Sequence, residues 1–127
     1  MACTGLFLSV FLLVHLLGNL ILLLPSSSAA PLYNLYSHTL AGNLFIKCVS
    51  ILLYLSIIFH TVYAVLITLK NKSSRGEVDY YFNKKSENSS WTSTNMGVLG
   101  FIILFFIVVH MANFWVRLKL GFGDAVP

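Results

Sequence analysis

Three apolar runs, each long enough to cross a lipid bilayer, leave this chain few ways to fold. They extend from about Thr4 to Leu24, from about Leu44 to Leu69 and from about Gly97 to Leu118, and the last contains the nearly unbroken GFIILFFIVV that precedes His110. A helix rises about 1.5 Å per residue, so roughly 20 apolar residues cover a hydrocarbon core of about 30 Å. Lipid offers no partner to an unpaired backbone amide, and three such segments cannot close a barrel, so each run must be α-helical. The expectation is an all-α integral membrane bundle with three transmembrane helices at about 4–24, 44–69 and 97–118, joined by loops over 25–43 and 70–96. Composition agrees: 57% of the residues are hydrophobic and 9% charged, too few polar groups to cover a water-soluble globule of this size.

A secretory signal peptide competes for the first run, which is N-terminal and is followed by PSSSAAP, small residues of the kind found at cleavage sites. Its apolar stretch is longer than a usual signal core, no Lys or Arg precedes it, and it holds a histidine and an asparagine. It therefore reads as a membrane span. The net charge of +4 does not point to nucleic acid, because the basic residues lie between apolar segments instead of forming a stripe with interleaved aromatics. Cys3 and Cys48 belong to no CxxC or Cys/His metal pattern, and no CxxCH motif for covalent haem attachment occurs.

The two connecting segments differ in charge. Residues 25–43 hold no Lys, Arg, Asp or Glu, whereas 70–96 carry Lys70, Lys72, Arg75, Lys84 and Lys85 against Glu77, Asp79 and Glu87. The positive-inside rule places the second loop and the N-terminus on the inner side, with loop 25–43 and the C-terminus outside. Lys47, Arg117 and Lys119, at the outer ends of the second and third helices, count against that orientation. Tyr80, Tyr81 and Trp91 on one side, and Tyr33, Tyr36 and Trp115 on the other, fit interfacial aromatic belts. The sequon Asn88-Ser89-Ser90 would then face away from the glycosylation machinery. The serine patch 26–28 and the polar stretch 83–95 read as loops.

Each apolar run contains one histidine, and ionisable groups inside membrane spans are rare, costly and usually turned to a cofactor or a partner group. The plain alternative is a neutral imidazole hydrogen-bonded to a carbonyl or hydroxyl of a neighbouring helix. Counting along the helices puts His15 and His110 within about 2–3 Å of one depth and His60 about 8 Å nearer the inner face. Two imidazoles at one level can ligate the two faces of a haem iron, so His15 and His110 form a candidate pair. His60 then needs a partner this chain does not supply, since His38 falls in the outer loop. Gly18 and Asn19 follow His15 on its own face, where a missing side chain could admit a flat macrocycle or simply another helix. Arg117, seven positions after His110, could meet a haem propionate or snorkel to the surface. Ser56, four before His60, could bond the imidazole or its own backbone.

The segments TGLFLSVFLLVHLLGNL around His15, YSHTLAGN with ILLYLSIIFHTVYAVLITLKN around His60, and NMGVLGFIILFFIVVHMANFW around His110 together resemble the cytochrome b membrane-anchor subunit of succinate dehydrogenase and fumarate reductase, in its single-chain, five-helix, di-haem bacterial form. The resemblance implies that His15 and His110 ligate the distal haem b and that His60 supplies half of the proximal site. It further implies two more helices after the third, so that these are the first three of five and one haem at most is fully ligated here. The implied partners are a flavoprotein subunit, an iron–sulfur subunit and a membrane quinone, menaquinone preferred, and the implied location is the bacterial inner (cytoplasmic) membrane. Catalysis on a dicarboxylate would rest with the soluble partners. Departures are the missing basic lead before the first helix and Thr94 where the family pattern leads one to expect arginine. The quinone site is not placed by the sequence, and Lys47 and His38 are named only as candidates.

Overall fold

A computed structural model describes residues 1–76 and 89–121. It is all-α, with no strand among the described residues. Three helices are long and apolar enough to cross a membrane: Ala2–Leu23, Leu44–Arg75 and Met96–Leu120, of 22, 32 and 25 residues. This is a membrane protein by the length and composition of its helices. The described part of the chain falls into two units, Met1–Arg75 and Gly76 onward. Tyr80, Tyr81, Lys84, Lys85 and Asn88, which carried part of the orientation and sequon readings, lie outside the described residues, as does everything after Gly121.

In the first unit, α1 (Ala2–Asn19) tightens into a 3-10 turn over Leu20–Leu23. It stops where the sequence sets a proline: Leu24 is extended (φ −68°, ψ 160°), as the residue before a proline must be to avoid the ring. Segment 25–43, expected to be a loop, is instead the helix α2 (Ser26–Gly42). Its serines and its internal Pro31 hid it, because neither contributes apolar periodicity. What fixes it is contact with the end of α1: Tyr33 donates a hydrogen bond to Asn19 Oδ1 (3.3 Å), and the phenol of Tyr36 lies over Gly18. Asn43 then separates α2 from α3 and caps the latter, its Oδ1 accepting from the amides of Phe45 (2.8 Å) and Ile46 (3.4 Å).

Helix α3 (Leu44–Arg75) spans 32 residues, about 48 Å at the α-helical rise and well beyond a hydrocarbon core. The sequence reading ended it at Leu69, where apolar residues give way to lysine. The backbone continues because loss of hydrophobicity does not break a helix; Gly76, with φ +70°, does, in the left-handed conformation that terminates helices. Lys72 and Arg75 occupy the last turn, where cations oppose the negative end of the helix dipole. Leu53, Ile57, His60 and Ala64 fall at i, i+4, i+7 and i+11, one stripe of α3, and all four are buried or half-buried. Ala29 and Leu53, each 7% exposed, are the buried hydrophobics among the described residues. The remaining apolar surface needs lipid or further protein to cover it.

In the second unit, the short α4 (Trp91–Thr94) is capped by Ser90, whose hydroxyl accepts from the amide of Ser93 (3.2 Å). It leads into α5 (Met96–Met111). A π turn over Ala112–Val116 follows, then the last turn α6 (Arg117–Leu120), ended by Gly121 at φ +67°. Nothing in the sequence between His110 and Gly121 marked that turn.

Candidate functional site

His15 sits on α1 in register with Thr4, Leu8, Phe11 and Gly18, steps of three and four residues that keep one face. It is exposed, and its ring stacks on that of Phe11, four residues earlier (centroids 5.3 Å apart, 25° between planes). The two ends of the same face are engaged by other helices. At the N-terminal end, Thr4 and Gly5 meet His60 of α3; at the other, Gly18 and Asn19 meet Tyr36 and Tyr33 of α2.

Gly18 and Asn19 thus have occupants from this chain. A Cβ on Gly18 would collide with the Tyr36 hydroxyl and stand 3.0 Å from Cζ, so the missing side chain admits a tyrosine ring. Asn19 donates from Nδ2 to the carbonyl of His15 (2.7 Å) while accepting from Tyr33. Both residues dock α2 onto α1, the helix-packing alternative weighed for Gly18.

His60 is half-buried. Its Nδ1 lies 2.8 Å from Thr4 Oγ1, and Thr4 Oγ1 donates to the Met1 carbonyl (2.9 Å). The ring edge passes close to α1: a Cβ on Gly5 would lie 3.4 Å from His60 Cε1. The hydroxyl next to His60 is therefore Thr4, on another helix. Ser56 lies one turn away on the same helix, whereas Thr4 lies 56 positions away at the start of another apolar run. Contact with Thr4 also sets the level of His60, since Thr4 and His15 are eleven residues apart on α1, about 16 Å of rise. His15 and His60 belong to different levels of the first unit, as expected, but with about twice the separation counted from the sequence. That count placed His60 relative to the middle of an apolar run that stops at Leu69, whereas its level follows from the contact with the first turn of α1.

In the second unit, His110 is half-buried near the C-terminal end of α5. Its ring lies between Phe106 (centroids 5.6 Å, 22°) and Phe114 (4.9 Å, 41°). The π turn begins two residues later. Turns of this kind add one residue to the helical ladder and recur at functional positions. The extra residue corrects the reading of Arg117: seven steps along an unbroken α-helix would return it to the face of His110, but the inserted residue turns it about 100° away. Arg117 is exposed at the start of the last turn.

His15 and His110 both close the motif Phe-x-x-Val-His, in FLLVH and FIVVH, and in both the phenylalanine stacks on the imidazole. His60 closes SIIFH instead and takes its contact from across the helix pair.

Among the described residues no group of three or more His, Cys, Asp or Glu comes together. A haem iron asks less of a protein than a free metal ion, because the macrocycle supplies the in-plane donors and the chain adds one or two axial imidazoles. An imidazole whose Nδ1 is engaged by a hydroxyl, with Nε2 as its other ring nitrogen, fits that role. His38 and Lys47 lie on α2 and in the first turn of α3 respectively. No protein-family model, curated protein or solved structure matches the chain.

Proposed function

We propose that this chain is a haem b-binding membrane anchor of the succinate dehydrogenase and fumarate reductase type, passing electrons between soluble flavoprotein and iron–sulfur subunits and a membrane quinone, menaquinone preferred. One observation carries the proposal: each of the three membrane-length helices holds a single histidine within its apolar run, where ionisable side chains are rare and usually serve a cofactor or partner. On the depth counted from the sequence, His15 and His110 are the axial pair of one haem. His60, at a different level of α1, is a ligand of a second haem whose other ligand comes from beyond this chain. A bound haem supplies reversible one-electron carriage. The residues here hold and orient the imidazoles: Phe11 beside His15, Phe106 and Phe114 around His110, and Thr4 on His60. On this reading the chain resides in a bacterial cytoplasmic membrane with its N-terminus inside.

The test is a reduced-minus-oxidised visible spectrum of the purified chain. A haem α-band is expected, and His15→Ala and His110→Ala should each abolish the same component. Loss of different components would refute the pairing, and a spectrum without an α-band would refute the haem reading altogether. A second reading, a haem-free membrane scaffold or transporter component, draws support from the Thr4–His60 contact, because a histidine bonded across two helices can serve cohesion alone. A spectrum without haem from a chain that unfolds more readily as His60→Ala would establish that reading.

A further inference from the structure

Which ring nitrogen of His60 carries the proton follows from the hydroxyl beside it. A threonine side chain has one hydrogen to donate and lone pairs to accept with. Thr4 Oγ1 stands 2.9 Å from the Met1 carbonyl oxygen and 2.8 Å from His60 Nδ1. The Met1 carbonyl, which also accepts from the Gly5 amide (2.9 Å), can only accept, so its contact with Thr4 is a hydrogen bond only when the hydroxyl hydrogen points to it. The second contact is then a hydrogen bond only if Nδ1 carries the proton and donates it to Thr4. The opposite assignment would turn the hydroxyl hydrogen to the ring and leave the Thr4 and Met1 oxygens 2.9 Å apart with no hydrogen between them.

We infer that Thr4 holds His60 as the Nδ1–H tautomer, with its lone pair on Nε2, and is the positioning residue of this imidazole. Gly5 belongs to the same device. A Cβ there would reach to 3.4 Å from His60 Cε1, so the ring is seated close against the backbone of α1, and a branched side chain at this position would displace it from Thr4. The inference rests on the haem reading only in its consequence: a histidine ligates a metal through an unprotonated nitrogen, and a partner on the other nitrogen fixes which one that is and how the ring is aimed. Thr4 would thereby make His60 an Nε2 ligand before any cofactor arrives.

The experiment is nitrogen NMR of the full chain, labelled with 15N-histidine, in lipid nanodiscs without haem, with the His60 signals assigned by their loss in His60→Gln. The expected result is a neutral ring protonated at Nδ1, a shift of the population toward Nε2–H in Thr4→Val, and restoration of the Nδ1–H form in Thr4→Ser. A wild-type ring protonated at Nε2, an unchanged tautomer in Thr4→Val, or no restoration by serine would each overturn the inference. Should Thr4→Val fail to fold, the wild-type and Thr4→Ser spectra decide alone. Haemin titration in a His15→Ala, His110→Ala background tests the consequence separately, with affinity expected to fall about tenfold to a hundredfold on adding Thr4→Val. If the tautomer is as stated and haemin does not bind in that background, Thr4 keeps its role and the haem reading of His60 is what fails.

Discussion

His60 and His110 occupy comparable places, each inside a membrane-length helix, yet their described contacts come from opposite sources. The rings around His110 belong to its own helix, at i−4 and i+4, and His15 likewise stacks on the phenylalanine four residues before it. The hydroxyl on His60 comes from α1, 56 positions away in sequence. A stack at i−4 forms whenever the helix forms, because side chains four apart share a face. The Thr4 contact exists only while α1 and α3 are packed. The orientation of His60 therefore reports tertiary structure, whereas the ring contacts of His15 and His110 report local sequence.

If that division is right, substitutions at cross-helix contacts should cost more than those at local stacks. The largest effect is expected at Gly18. Gly18→Val places a branched side chain into the space held by the Tyr36 phenol, and overpacking of this kind costs about 1–3 kcal/mol. Thermal unfolding in detergent, followed by circular dichroism, would show the loss. Adding Tyr36→Ala should recover part of it, since the clash then has one partner fewer. A Gly18→Val chain as stable as the parent would mean that α2 is not seated on α1 by this contact. A smaller loss, about 1 kcal/mol, is expected for Asn19→Ala, which removes the bonds to the His15 carbonyl and the Tyr33 hydroxyl. Tyr33→Phe, which deletes only the bond that crosses from α2 to α1, should show most of that loss in the same assay.

The same division explains what could be read from the sequence. The three spans were legible because a bilayer demands a run of apolar residues of fixed length, and the end expected near Leu24 and the start expected near Leu44 agree with the backbone. The histidines were legible because a polar side chain is conspicuous in such a run. α2 was not, since its stability comes from tyrosines seated on another helix and not from its own pattern. Thr4 carries no such signal, because a threonine in an apolar segment is ordinary until α3 is laid beside it. The π turn after His110 was hidden for a different reason: adding one residue to a helical turn changes the register without requiring glycine or proline, and it carried Arg117 off the face where an ideal helix would leave it.

The smallest effects should lie at the local stacks, and there the two Phe-x-x-Val-His motifs can be set against each other. Phe11→Leu removes the ring described against His15, whereas Phe106→Leu leaves His110 still in contact with Phe114 at 4.9 Å. Side-chain pairs one turn apart contribute about 0.2–0.5 kcal/mol on a helix, and aromatic pairs somewhat more. Both substitutions should thus leave unfolding temperatures nearly unchanged. The sensitive readout is the chemical shift of the imidazole carbon-bound protons, which a ring stacked above them displaces. Phe11→Leu should move the His15 resonances further than Phe106→Leu moves those of His110, and neither should alter His60. A change at His60 comparable to that at His15 would mean that stacking on α1 and the seating of α3 against it are coupled, and the separation of local from cross-helix support would have to be abandoned.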